Sequence, residues 1–201
     1  KKMKLFKVLT VAIATTALVS FQYVTNHEGD EVHYKIDQEH SILKWKGGKS
    51  ESYFHTGTVK FKSGEIEMDH GMLEEGKFEV DLSSITITDE NLPDAKKSML
   101  AGHLQNEDFF NVAKYATAHV HIGEYKDGKL HTTVSILGKE VSHDIAVTLK
   151  SDAKTASISG KFDFDFTEAH IPGTIPEEGD TESISPVFSF DLNLALNALE
   201  K

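Results

Sequence analysis

Cysteine and arginine are both missing from this 201-residue chain. Without cysteine, a disulfide framework and a lipoprotein anchor are excluded. All 21 basic residues are lysines, so no bidentate guanidinium clamp is available for a phosphate or carboxylate, although lysine can still neutralise a phosphate as a point charge. The formal net charge of −11 argues against nucleic acid and anionic membrane surfaces as partners. Nothing beyond the first twenty residues is apolar for long enough to span a bilayer. There is no Gly-rich phosphate loop, nucleophile elbow or HExxH helix. The expectation is a protein without catalytic residues, resident metal or cofactor.

What is present begins with a basic head, Lys1, Lys2, Lys4 and Lys7, followed by an apolar run from Val8 to Val19. This has the form of a secretory signal peptide over residues 1–20. Residues 21–32 then form a short linker and 33–201 a single domain. Removing the leader takes away four lysines and no acid, moving the formal charge from −11 to about −15. A periplasmic or secreted location is expected, with no stable membrane insertion of the mature chain.

Period-two alternation dominates the domain. Leu43-Lys-Trp45, Val59-Lys-Phe61, Phe78-Glu-Val-Asp-Leu82 and Phe162-Asp-Phe-Asp-Phe166 each place large apolar side chains on one face and polar ones on the other. The run from Phe188 through Phe190, Leu192 and Leu194 to Leu196 repeats the pattern. Ser63-Gly64, His70-Gly71, Glu75-Gly76, Asp127-Gly128 and Gly138-Lys139 are read as turns between such runs. About eight strand-like segments follow, without βαβ alternation. An eight-stranded antiparallel barrel and a β-sandwich suit this pattern equally well.

Two stretches interrupt the alternation. Pro93 to Asn106 predicts a short helix, with Asp89 and Asn91 as caps. Thr167 to Ser183 predicts a long loop with an acidic tip at Glu177-Glu-Gly-Asp180.

Four pieces occur in a characteristic order: Tyr34-Lys-Ile-Asp-Gln-Glu-His-Ser41, a Gly57-x-x-x-Phe61-x-x-Gly64 hairpin, Ser83-Ser84-Ile85, and Leu104-x-x-x-Asp-Phe-Phe110 continuing to Tyr115. In this order the chain resembles the YceI-like family over residues 33 to 197. It departs in Ala116, where the family often has proline, and in lacking an arginine common in the late strands. The resemblance implies an all-β, lipocalin-like barrel with a short helical insertion, holding an isoprenoid or other long-chain lipid in its interior. It also selects a lined cavity over a filled core for the apolar positions, which composition cannot do. The ligand-binding residues it implies are Trp45, Phe61, Phe78, Val80, Val134, Ile136, Phe162, Phe164, Phe188 and Phe190. Leu104, Phe109 and Phe110 close or line one end. The oligomeric state is left open between monomer and homodimer.

Eleven histidines raise a metal alternative, a secreted stress-related protein or enzyme with a His-bound metal. Its sharpest pair is His119-Val-His121, whose imidazoles share one strand face about 7 Å apart. With Val120 and Ile122 on the apolar side, both imidazoles are expected to face solvent. His40 is expected to be buried and hydrogen-bonded to Asp37 or backbone. His55 and His143 show no local partner. Asp163, Asp165, Glu177, Glu178 and Asp180 are expected to be solvated. A filled-core interaction module is a third reading.

Overall fold

The computed structural model describes residues 31–175 and 183–199. The expected leader, the linker up to residue 30, and the acidic tip at 177–180 lie outside the described residues. Ten antiparallel strands run β1 (Val32–Ile36), β2 (Ile42–Ser50), β3 (Tyr53–Asp69), β4 (Met72–Ile87), β5 (Thr117–Lys126), β6 (Lys129–Ile136), β7 (Lys139–Ala146), β8 (Thr148–Ser151), β9 (Thr155–Asp165) and β10 (Val187–Ala198), with helix α1 (Asp94–Gln105) between β4 and β5. No helix among the described residues is long and apolar enough to cross a membrane.

Strand pairing follows β7-β6-β5-β4-β3-β1-β10-β9-β8, and β2 also pairs with β3 and β10. The two ends of this path, β7 and β8, are separated in the chain by Val147 alone, so the sheet returns to itself. Gly160 of β9 lies so close to Ala146 and Val147 that a Cβ there would sit 2.5 Å from the Ala146 carbonyl oxygen. Ten strands thus replace the eight expected, because two wall positions are each built from two strands. β1 and β2 share the position between β3 and β10, broken by the turn at Asp37–Ser41. β7 and β8 share the position between β6 and β9, where the chain changes partner. A closed sheet of staggered strands produces such changes of partner.

Three tight hairpins close on two residues at positive φ: His70-Gly71, Asp127-Gly128 and Leu137-Gly138. Positive φ at both positions is the type I′ geometry that matches strand twist. Ser63-Gly64 and Glu75-Gly76 are not turns, and Gly57 to Gly64 is not a hairpin. All lie within β3 and β4, where Gly64 pairs directly with Phe78 and Gly76 with Ile66. These glycines provide room rather than reversal, since a Cβ on Gly64 would meet the Phe78 ring at 2.1 Å. The β6–β7 turn also begins one residue earlier than the sequence suggested.

Helix α1 matches the expected span to within a residue at each end, but its cap differs. Pro93 occupies the N-cap without a side-chain hydrogen bond, and Asp89 is engaged elsewhere. α1 packs on β4 and buries Leu104. The following turn buries Phe109 and Phe110, and the Phe110 N–H donates to the Leu104 carbonyl at 3.0 Å. The described part of the long loop contains two short 3-10 turns, with Ala169, Ile171 and Thr174 buried. Its Gly173 N–H donates to the Asp108 carbonyl at 2.5 Å, so this part is docked on the turn after α1.

Candidate ligand cavity

Every wall position contributes inward side chains to one interior cavity of ≈ 150 Å³. Of the thirteen residues expected to bind ligand, the structure brings twelve together around it. Trp45 comes from β2, Phe61 from β3, Phe78 and Val80 from β4, Val134 and Ile136 from β6, Phe162 and Phe164 from β9, and Phe188 and Phe190 from β10; Leu104 and Phe110 arrive with the helical insertion. Phe109 does not line the cavity. It is buried against the His103 ring, 5.0 Å between centroids, and beneath Gly173, where a Cβ would stand 2.4 Å from its ring. Adjacent residues after α1 take opposite sides of the turn, which their shared apolar character concealed.

The cavity stays open among so many phenylalanines because several rings lie against glycines. Gly57 is the direct cross-strand partner of Trp45, and a Cβ on it would meet the indole at 2.5 Å and the Thr86 carbonyl oxygen at 1.9 Å. Gly64 plays the same part beneath Phe78, and Gly47 lies 3.2 Å, measured from its virtual Cβ, from the Phe188 ring. Aromatic rings over cross-strand glycines cover exposed backbone and keep their own bulk near the wall. Phe162 and Phe190 stack with centroids 5.7 Å apart, while Phe166 meets Phe188 edge-on at 5.6 Å.

Sequence reasoning missed several lining residues. Ala118 continues the apolar side of Val120 and Ile122, and Leu130 and Thr132 that of Val134 and Ile136, so extending period two would have found them; Ile145 lies on β7, which none of these runs reaches. Ile85 could not be found this way. Between Leu82 and Ile85 the inward phase of β4 shifts across a bulge, in which β3 pairs Thr58 with Thr86 but Lys60 with Asp81. Ser84 stabilises the bulge: its hydroxyl accepts the Lys60 N–H at 2.8 Å and donates to the Asp81 carbonyl at 2.6 Å. This gives the Ser83-Ser84-Ile85 motif a physical reason.

Among the described residues the lining carries no charged side chain, and two members have a polar side-chain atom. Thr132 is 1 % exposed, and its hydroxyl donates to the His143 carbonyl at 2.7 Å. Trp45 is 9 % exposed, and its Nε1–H has no hydrogen-bond partner. A buried donor left unpaired costs about 1–3 kcal/mol.

Polar anchors surround the cavity at a distance. Asp89, just after β4, accepts the Thr56 N–H and the Thr56 hydroxyl, each at 2.8 Å, and its other oxygen lies 2.6 Å from His55 Nδ1. Burial disfavours the Asp89 carboxylate, but these hydrogen bonds outweigh it and hold its pKa below the ordinary value. His55 therefore does have a partner, thirty-four residues away and invisible to a local reading. Tyr34 donates to the Asp152 carbonyl at 2.6 Å, and burial raises its pKa.

His119 and His121 are exposed as expected, each facing a glutamate across β4: Glu79 at 3.8 Å and Glu75 at 3.6 Å. His40 is not buried. Its side chain is 72 % exposed in the turn between β1 and β2, where Nδ1 lies 2.8 Å from Asp37 Oδ2. Asp37 folds that turn by accepting the Glu39 and His40 N–H groups, and Ser41 accepts the Ala195 N–H at 3.0 Å. Asp37 thus folds the turn between the first two strands, and Ser41 ties that turn to β10. Asp163 and Asp165 are exposed as expected.

The YceI-like domain profile matches residues 34–195. Among solved structures, the chain is similar to a polyisoprenoid binding domain from Saccharophagus degradans implicated in plant cell wall breakdown, with 14% identity, a TM-score of 0.58, and coverage of 83% of this chain and 98% of that one. It is also similar to Burkholderia cenocepacia BcnA, with 15% identity, a TM-score of 0.63, and coverage of 80% and 98% respectively. At these identities the likeness establishes the fold. No curated protein sequence matches the chain significantly.

Proposed function

The chain belongs to the YceI-like family, and from that premise we propose that it is an exported carrier that holds a long-chain isoprenoid or related lipid inside its barrel. The observation that carries this reading is the cavity: enclosed by every wall position, lined by apolar side chains and free of charge. Such a site takes up an apolar chain because each Å² removed from water contributes roughly 25 cal/mol. The similar domain from Saccharophagus degradans, described as polyisoprenoid binding, supports this ligand class. The absence of arginine favours a neutral headgroup over a clamped pyrophosphate. Among the described residues no histidine or carboxylate lines the cavity, which supports binding and release without bond chemistry. A periplasmic or secreted location is supported by the signal-like residues 1–20.

Native mass spectrometry of the protein from its own envelope fraction, followed by lipid extraction, tests the proposal. The expected result is one lipid per chain with an isoprenoid fragmentation series, on a polypeptide that lacks its first twenty or so residues. Protein that carries no lipid and binds no long-chain lipid on titration would overturn the carrier reading. Recovery of an intact Lys1 in the membrane pellet would overturn the exported, soluble form.

A further inference from the structure

Among the described residues that line the cavity, Thr132 and Trp45 are the two that carry a polar side-chain atom, and they differ in one respect. The Thr132 hydroxyl is already bonded to the His143 carbonyl, whereas the Trp45 indole N–H is buried with no partner. A buried tryptophan ordinarily pairs its N–H, and phenylalanine would give a similar aromatic wall without the unmet donor. The indole is also held in place. Gly57 lies beneath it, a virtual Cβ there standing 2.6 Å from Cε2, the carbon bonded to Nε1. The Cζ2–Cε2 part of the ring therefore rests over Gly57 of β3.

We propose that Trp45 Nε1–H is the polar recognition element of this cavity, donating a hydrogen bond to an oxygen of the bound lipid. This rests on the carrier reading and deepens it: the ligand is a long apolar chain with a neutral acceptor oxygen, a carbonyl, hydroxyl or ether, and not a bare hydrocarbon. A charged headgroup finds no counter-charge in the lining. Access follows from the size of the cavity. At ≈ 150 Å³ it is narrower than the roughly 300–1,000 Å³ of ordinary ligand pockets, so a long chain enters by moving rings. Phe190, directly opposite Trp45 across β10 and β2, is stacked on Phe162, and both are half-buried. Moving this stacked pair would open the cavity beside Trp45.

The test compares three probes of equal chain length: a prenylated benzoquinone, the corresponding prenol and the corresponding hydrocarbon. Trp45 is the only tryptophan, so the 1H–15N spectrum of the wild type holds one indole cross-peak. That peak is expected to move downfield with the quinone or the prenol and to stay in place with the hydrocarbon. Trp45→Phe is expected to weaken the oxygenated probes about three- to tenfold more than the hydrocarbon, the difference being the loss of one hydrogen bond. A response to the quinone alone supports a carbonyl as the acceptor; a response to both supports any neutral oxygen. Equal weakening of all three probes, or an indole peak that ignores the oxygenated ones, would overturn the inference while leaving the carrier reading intact. Failure of the wild type to bind any of the three would remove the carrier reading and this inference together. The wild-type cross-peak decides the matter even if Trp45→Phe does not fold.

Discussion

The two halves of this barrel share their strands and their alternation, yet one is solid and the other hollow. At the solid end, Tyr34, Ile36, Ile66, Met68, Leu73, Ile158 and Leu196 are buried without bordering the cavity, and Ile158 is 0 % exposed. Cross-strand pairs there include bulk opposite bulk, Ile36 facing Leu196 and Met68 facing Leu73, beside one spacer pair in which Ile66 faces Gly76. In the hollow half two aromatic side chains face glycine, Trp45 against Gly57 and Phe78 against Gly64, while Phe162 faces Phe190 and Phe164 faces Phe188. Inward apolar side chains specify that a barrel has an interior. Whether that interior is filled depends on how their volumes meet across the sheet, and glycines opposite Trp45 and Phe78 are part of what leaves this half open.

Mutations at the two ends should respond differently. The largest expected loss is at the solid end, where Ile158→Ala leaves a void among packed neighbours and costs about 4 kcal/mol in denaturant unfolding. A loss under about 1 kcal/mol would mean that this end is loosely packed. Next comes Gly57→Ala, whose Cβ would meet the Thr86 carbonyl oxygen at 1.9 Å and the indole at 2.5 Å. It should cost about 3 kcal/mol by overpacking, despite adding a single methyl group. Thermal unfolding that leaves this variant as stable as wild type would show that glycine is not needed to seat Trp45.

A smaller effect is expected at Asp89, which ties β4 to β3 beside the hollow half. Asp89→Asn should lower stability by about 1–2 kcal/mol at pH 7 through weaker hydrogen bonds. Because hydrogen bonding lowers the Asp89 pKa in the folded protein, its contribution is present above the unfolded value near 3.9. It is lost as pH falls through the folded value. The stability gap between wild type and variant should therefore narrow from pH 5 to pH 2; a constant gap would assign the effect to packing.

Smallest in stability, and sharpest for the comparison, is added volume in the hollow half. Val134→Phe or Ile136→Trp should cost about 1 kcal/mol or less, since the ring enters space reserved for ligand, while lipid binding is lost. The matching change at the solid end, Ala156→Phe, should cost about 1–3 kcal/mol with no ligand space to occupy. Equal destabilisation at both ends would mean that the cavity behaves as ordinary core.

Period-two alternation made β2, β9 and β10 legible, and with them most of the cavity wall. It failed where a residue's meaning depends on what lies across from it. Gly64 and Gly76 have the composition of turns, but their neighbours on the paired strand make them spacers inside β3 and β4. Asp89 has the composition of a helix cap, but Thr56 and His55 on β3 offer it more hydrogen bonds than the helix does. Ile85 escaped because the bulge shifts the inward phase, and Phe109 because the turn after α1 separates it from Phe110.

By itself the sequence determined the alternation, the all-β class, the short helix, the turns at His70-Gly71 and Asp127-Gly128, and the inward character of Trp45 and of the phenylalanines of β9 and β10. These follow from the pleat and from positive φ, which are properties of adjacent residues. Only the tertiary structure decided that β1 with β2 and β7 with β8 each complete one wall position, that one end is solid, and that the indole N–H of Trp45 is left without a partner. Those outcomes depend on which residues meet across strands. Partners such as Ser41 and Ala195 lie 154 residues apart in the chain, and closure of the sheet alone brings them together.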